Sequence, residues 1–311
     1  MSTYRNGGLF LLLSVLWGIA FMAIKAGLEF MPPVLFAAIR YDIAGIIMLG
    51  YAVAATEYWR PRTRTDWITV LVGATLVIAF YNAFLFIGEQ GVTSGVAAIF
   101  VAMNPILATG FSWVFLPNER LTPVAAIGLG LGFVGVGFVA SPNLSNLLGT
   151  DLIAPGFVLL AAVCVALGSV QVLRFESGIS TEGMVAWSNA LGAIILHIVS
   201  FGLPTESLAQ AEFTTGALLA VVYLAIFASA IGYFIYFDLL DRLGAIEINL
   251  VSYAAPVFAA TSGWVVLGET LSFLTIVGFI VIFAGFVLLK RDRFRNELPS
   301  LPQRFGQREG D

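Results

Sequence analysis

Apolar residues run along this chain in blocks about twenty long, separated by short polar clusters. Within a block they occupy every side of a would-be helix rather than one stripe. Crossing the hydrocarbon core of a bilayer takes roughly 20 helical residues. The blocks predict ten spans, at 8–27, 34–55, 67–88, 94–116, 122–141, 150–172, 181–203, 214–238, 244–267 and 272–290. The breaks carry turn and helix-stop residues: Pro32 and Pro33, the segment 60–66, the segment 117–120, the segment 141–143, and Ser177 with Gly178. Two hairpins are very short, at 89–93 and 267–271.

Helix is the forced conformation for such blocks. In lipid every backbone amide needs a partner within the protein, so only helices and closed barrels span. A barrel would show alternating segments of about ten residues, and these runs are twice that. Composition agrees: 59% of the 311 residues are hydrophobic and 11% are charged, against roughly 25% charged in a soluble domain. The first block is too long for a typical signal-peptide core, so it reads as a retained first helix.

Charge placement orients the spans. With a cytoplasmic N-terminus, the inner segments hold Arg5, Arg60, Arg62, Arg64, Arg120, Arg174 and Arg242. The C-terminal end adds Lys290, Arg291, Arg293, Arg295, Arg304 and Arg308, and the outer loops hold no basic residue. The positive-inside rule therefore predicts ten spans with both termini cytoplasmic.

The chain repeats itself. Pro105, Trp113 and Glu119 recur in order as Pro256, Trp264 and Glu269, after one deletion in the turn. Gly128 then meets Gly278, Gly135 meets Gly285, and Gly18 meets Gly168 at a similar offset. Each half holds five spans, an odd number, so the halves enter the membrane with opposite topology. The expected architecture is all-α, with two inverted five-helix repeats: 1–144, 145–290 and a polar cytoplasmic tail at 291–311. Inverted repeats characterise secondary transporters.

These residues resemble the ten-helix EamA-type permeases of the drug/metabolite transporter superfamily. The resemblance is carried by Leu16, Trp17, Gly18, Phe21 and Lys25, by Pro32 and Pro33, and by Ala37 to Arg40. It continues in the central prolines Pro105 and Pro256, the acidic turns at Glu119 and Glu269, and the glycine-spaced helices that follow. It spans about 8–290. The resemblance implies gradient-coupled or facilitated movement of small metabolites, often outward, through a cavity lined mainly by the first four helices of each half. The second half departs from it: Leu167 stands before Gly168 where Trp17 stands before Gly18, and nothing corresponds clearly to Lys25 or Arg40.

Polar and aromatic residues within the spans are candidates for the solute path, because an intramembrane polar group needs a partner or a cavity. The amides are Asn82, Asn104, Asn189 and Asn249; the aromatics are Trp17, Tyr81, Tyr233 and Tyr253. The plainer reading of each is interhelical packing. Lys25 and Arg40 fall toward the outer ends of their helices. They read as snorkelling cations, as partners of Glu29 or Asp42, or as an outer vestibule for a carboxylate or phosphate. Pro105 and Pro256 each remove an amide donor and serve as kinks or hinges. Asp238 and Glu247, near inner helix ends, are candidates for coupling or gating, against simple charge balance with Arg242. Glu119 and Glu269 read as turn caps. The five glycines 128, 130, 132, 135 and 137 read as close-packing faces.

The sequence predicts no cofactor, no metal and no nucleic-acid partner. Its lone histidine, His197, and single Cys164 form no ligand set, and no nucleotide-binding loop is present. The partners expected are a small-molecule solute and membrane lipid, with proton coupling a candidate and a monomer or homodimer as the assembly. A secondary exporter of amino acids or related amphipathic metabolites is the leading reading, in a cell membrane and not as an enzyme. A nucleotide-sugar, organic-phosphate or drug transporter of the same fold is the alternative. A lipid-modifying enzyme, or a membrane sensor or scaffold, would be a different class.

Overall fold

The computed structural model describes residues 2–116, 123–140, 152–243, 248 and 250–297. Ten helices follow one another among the described residues, and no strand occurs among them. They are α1 (Ser2–Gly27), α2 (Pro33–Ala55), α3 (Arg64–Glu89), α4 (Ser94–Phe115), α5 (Pro123–Ala140), α6 (Ile153–Arg174), α7 (Thr181–Gly202), α8 (Thr215–Leu243), α9 (Val251–Leu267) and α10 (Phe273–Glu297). Seven of them are long and apolar enough to cross a membrane, and α5, α9 and α10 contain shorter apolar stretches. Each overlaps an expected span, and among the described residues seven of the ten expected spans have a helix long and apolar enough to cross. Large apolar side chains such as Ile46, Ile198, Phe201, Leu219 and Phe273 lie more than half exposed on the outside. A bilayer would cover that surface.

Local chemistry sets the helix ends. Thr63 and Asp66 form a reciprocal capping box at the start of α3, and Thr93, Ser180 and Thr214 cap α4, α7 and α8. Gly268, at φ +68°, ends α9 in the left-handed conformation that glycine adopts without a Cβ clash. Other caps come from distant segments. Glu206, in the loop after α7, accepts the amides of Val34 and Leu35 at 2.8 and 3.0 Å at the start of α2. Glu269, after α9, accepts the Ser94 amide at the start of α4. A carboxylate at a helix N-terminus also meets the positive end of the helix dipole.

The packing is mirrored between halves. α1 packs on α9 as α6 packs on α4; α1 meets α8 as α6 meets α3; and α3 meets α7 as α8 meets α2. Three further pairs, α2 with α7, α4 with α9 and α5 with α10, are their own counterparts. Both α3 and α8 widen into a π-helical stretch, Gly73–Phe80 and Tyr223–Ile231. The two stretches begin at the spacing that separates Gly18 from Gly168. Close approach depends on glycine: a Cβ on Gly135 would lie 2.7 Å from the Gly278 carbonyl oxygen, and one on Gly278 would lie 2.6 Å from that of Gly135. Gly130 and Gly137 meet nothing within 4 Å, so the glycine face of α5 is narrower than the sequence predicts.

The two prolines act differently. Pro105 follows a break at Ala102 and Met103 that divides α4 into Ser94–Val101 and Asn104–Phe115. Pro256 sits inside the single helix Val251–Leu267.

Arginine-bearing helix ends gather on one side. There Asp238 accepts from Arg242 at 2.6 Å and lies 3.8 Å from Arg5. Asp66, fully buried, accepts from the Tyr58 hydroxyl at 2.6 Å and from the amides of Arg62, Thr63 and Gly178. The bond to Asp66 raises the Tyr58 phenol above its ordinary range. The Gly178 bond ties the two halves together. Replacing Asp66 with Ala should remove on the order of 2–4 kcal/mol, because a capping box and a cross-half bond vanish together. Thermal denaturation in detergent would show it; an unchanged transition would refute the assignment.

Candidate functional site

The buried polar cluster begins on α2. The Arg40 side chain is not at the headgroups: Arg40 is 8% exposed. Its guanidinium carbon lies 4.5 Å from the Tyr41 ring centroid and 5.6 Å from that of Phe86. Nη2 donates to the Tyr41 hydroxyl at 3.0 Å, and Nε has no partner. No carboxylate forms an ion pair with Arg40 among the described residues. Asp42 bonds to His197 across α2 and α7 instead, at 2.9 Å. The snorkelling and ion-pair expectations for Arg40 therefore both give way to a buried, uncompensated guanidinium.

Asn82 on α3 completes the cluster. Its amide nitrogen donates to the Tyr41 hydroxyl at 3.2 Å and to the Ile78 carbonyl at 2.7 Å. A carbonyl can only accept, so the Ile78 bond fixes which amide atom is nitrogen. That leaves the Asn82 oxygen buried and without a partner. The Tyr41 hydroxyl oxygen accepts from both Arg40 and Asn82, and its proton remains to be donated. The cluster thus offers a guanidinium and a hydroxyl proton beside a bare amide oxygen. Tyr81 and Tyr233 stand within electrostatic reach of Arg40 and Tyr41, so α8 of the second half also faces the cluster.

Trp17 backs the α8 side. Its indole N–H donates to the Ala228 carbonyl at 3.1 Å, and its ring meets Tyr233 edge-on at 6.4 Å and Tyr236 at 5.7 Å. Ile78 and Ala228 occupy corresponding places in the two π-helical stretches. Each stretch thus presents one carbonyl to a side chain of the first half, Ile78 to the Asn82 amide and Ala228 to the Trp17 indole. Beside Trp17, a Cβ on Gly18 would lie 2.5 Å from Phe258 Cβ, so this glycine admits α9.

The other candidates lie elsewhere. Lys25 donates to the carbonyls of Glu89, Gln90 and Val92 at 2.7, 3.0 and 2.9 Å. All three ammonium protons close the end of α3, so Lys25 is a cap and presents no free cation. Tyr253 turns to α10, 4.3 Å from Phe286 and 5.5 Å from Phe283. Asn104 stands at the α4 break with its carbonyl oxygen unpartnered, and Asn189 is buried on α7 with both amide atoms unpartnered. Asp238 is neutralised by arginines at a helix end. Asn249, Glu247 and Glu119 lie outside the described residues. A depression of about 350 Å³ at Ala260, Thr261, Trp264 and Glu269 faces outward, since Trp264 is 64% exposed.

Sequence reasoning missed Tyr41, Glu206, Asp66 and Glu89. Tyr41 directly follows Arg40, and Glu89 lies seven residues after Asn82, a spacing that returns to nearly the same helix face. Lys25→Met should leave three carbonyls uncapped and destabilise the 89–93 hairpin by about 1–3 kcal/mol. Lower thermal stability, partly restored by Lys25→Arg, would support the capping role; an unshifted melting point for Lys25→Met would count against it.

A family model described as the EamA-like transporter family matches residues 6–141 and 152–291. The chain is 30% identical over 290 residues to an inner membrane transporter of Escherichia coli K12, YedA, covering 93% of this chain and 91% of that one. It is 29% identical over 293 residues to a Salmonella typhimurium protein named "Probable amino-acid metabolite efflux pump", covering 90% and 93%. It is 27% identical over 285 residues to the Bacillus subtilis transporter YvbV, covering 92% and 91%. A crystal structure 22% identical in sequence superposes with a TM-score of 0.64, over 94% of this chain and 99% of that chain. It shares the fold.

Proposed function

Because the chain belongs to the EamA-like transporter family, we propose that it is a secondary exporter of small amphipathic metabolites, amino acids first among them. The observation that carries this reading is the buried cluster of Arg40, Tyr41 and Asn82. A guanidinium with free donors suits a carboxylate, and the Tyr41 hydroxyl proton can join it. The unpartnered Asn82 oxygen suits an ammonium N–H. Together they fit the two ends of a zwitterion. A phosphate dianion would call for a second cation, and the nearest one, Lys25, is already bonded to three carbonyls. The name of the Salmonella relative lends weight to the same solute class.

In this reading ten spans form two oppositely inserted units, 1–144 and 145–290, with both termini and the tail 291–311 cytoplasmic. The arginine-bearing end is the inner face of a cell membrane, by the positive-inside rule. The halves rock about the Arg40 cluster, opening it to one side at a time. Arg40, Tyr41 and Asn82 are all buried here, as a closed intermediate of such a cycle requires.

The test is flux of radiolabelled neutral amino acids in sealed proteoliposomes. Arg40→Gln is expected to lower flux by roughly 10- to 100-fold, the value of a hydrogen bond to a charged group, with membrane abundance unchanged. Wild-type flux in Arg40→Gln would remove the cluster from the solute path. A wild-type protein that moved no amino acid under any imposed gradient would overturn the solute class.

A further inference from the structure

α3 ends on a second buried acid-base element. Glu89 is 0% exposed, and neither carboxyl oxygen has a hydrogen-bond partner. It shares a helix face with Asn82 and Phe86, at i, i+4 and i+7, and Arg40 lies over the Phe86 ring. Glu89 therefore stands about 10 Å beyond Asn82, at 1.5 Å per residue, on the side of the helix that faces the Arg40 cluster.

The surroundings of Glu89 offer little to hold a negative charge. It is the last residue of its helix, where the dipole is negative. Lys25 of α1 comes closest among the cations, but its three protons point at backbone carbonyls, including that of Glu89 itself. Arg40 of α2 and Glu269 after α9 also act on it, with opposite signs, and Tyr81 lies within reach on α3 itself. The start of α6 brings Ala154 and Val158 against the neighbouring Gly88 and Gly91, and Ser94 at the start of α4 has an unpartnered hydroxyl. An ionised carboxylate sealed here would be a buried charge with no hydrogen bond, an arrangement that costs several kcal/mol. The neutral acid avoids that penalty.

The same turn is a joint. The 89–93 hairpin is held on one side by Lys25 from α1 and on the other by Glu269, which accepts the Ser94 amide from the turn after α9. Lys25 ties the hairpin to its own half, and Glu269 ties it to the other.

Resting on the transport reading above, we propose that Glu89 is the proton-carrying group of the transport cycle. It is a carboxylic acid while both ends are closed, exchanges its proton with water on this side when this end opens, and exchanges it with water admitted to the Arg40 cluster, on the same face of α3, when the opposite end opens. In the open state the O–H bond breaks, the electron pair stays on the carboxylate and the proton passes to water; closure requires the reverse. Protonation and closure are then linked, and a pH gradient biases the conformational cycle.

Two measurements test this. The first needs no solute: infrared difference spectra of purified protein in lipid nanodiscs, recorded across a pH step. A carboxylic-acid carbonyl band is expected in the wild type, absent from Glu89→Gln and retained at a shifted position in Glu89→Asp. The second is flux of the labelled amino acid moved by the wild type. Glu89→Gln should lose accumulation driven by a pH gradient by roughly tenfold, within the usual range of coupling between sites. Its label-for-label exchange should fall far less, and Glu89→Asp should regain part of the pH response. An unchanged infrared band in Glu89→Gln, or undiminished pH-driven accumulation, would overturn the assignment. A wild type that exchanges label but ignores pH would overturn the proton role and leave the transport reading intact. A wild type that moves no amino acid would overturn the solute class, and the infrared band would still decide whether Glu89 holds a proton.

Discussion

A helix end in a bilayer-embedded protein has little water to complete its hydrogen bonds, and the rest of this structure follows from how those ends are closed. Short-range caps such as Thr63 and Ser180 satisfy some of them. The remainder are closed by long-range charged groups: Lys25 on the end of α3, Glu206 on the start of α2, and Glu269 on the start of α4. Glu206 and Glu269 reach from the second half to the first, and Asp66 reaches the Gly178 amide in the other direction. Each cap fixes the relative position of two helices that are far apart in sequence. The caps lie at the ends of the helices and bridge elements of both halves.

Between the ends, packing rests on small residues and on two widened turns. Glycines at 18, 88, 135 and 278 bring backbones close enough that a methyl group would collide with a neighbouring helix. The π-helical stretches in α3 and α8 do different work at corresponding places, one carbonyl holding Asn82 and the other holding Trp17. Both side chains belong to the first half, and the carbonyls that hold them come one from each half. The repeat therefore supplies a pair of polar anchor points as well as a frame.

How much of this could be read from the sequence depends on the range of the interaction. Block length gave the helices, because membrane thickness is imposed from outside and leaves a mark of about twenty residues. The repeat was visible in Pro, Trp and Gly spacing, and the mirrored packing agrees with it. Side-chain direction was not visible. Lys25 and Arg40 look alike on paper, two cations toward the ends of adjacent spans, yet one caps a helix and the other is buried beside Tyr41. Pro105 and Pro256 align, yet Pro105 stands two residues after a helix break while Pro256 lies inside the helix Val251–Leu267. Glu89 passed as a turn residue, since an acid at the end of a span is usually at the interface. The turn it ends is met by α1, α6 and the turn after α9, whose approach no local pattern encodes.

The frame is symmetric but the chemistry is not. At the spacing that relates Gly18 to Gly168, Arg40 corresponds to Ala190, Tyr41 to Leu191, Asn82 to Gly232 and Glu89 to Leu239. Every member of the buried polar set has an apolar or small counterpart. Ala190 packs against Gly45, and Gly232 leaves the space that the Trp17 indole fills. A symmetric pair of such clusters would place two guanidiniums in one closed interior without carboxylates, at a severe desolvation penalty. Confining the charge to one half avoids that repulsion. In the proposed cycle, the symmetric backbone keeps the two open states comparable in energy, and the asymmetric side chains give the interior one set of donors and acceptors to present to either side.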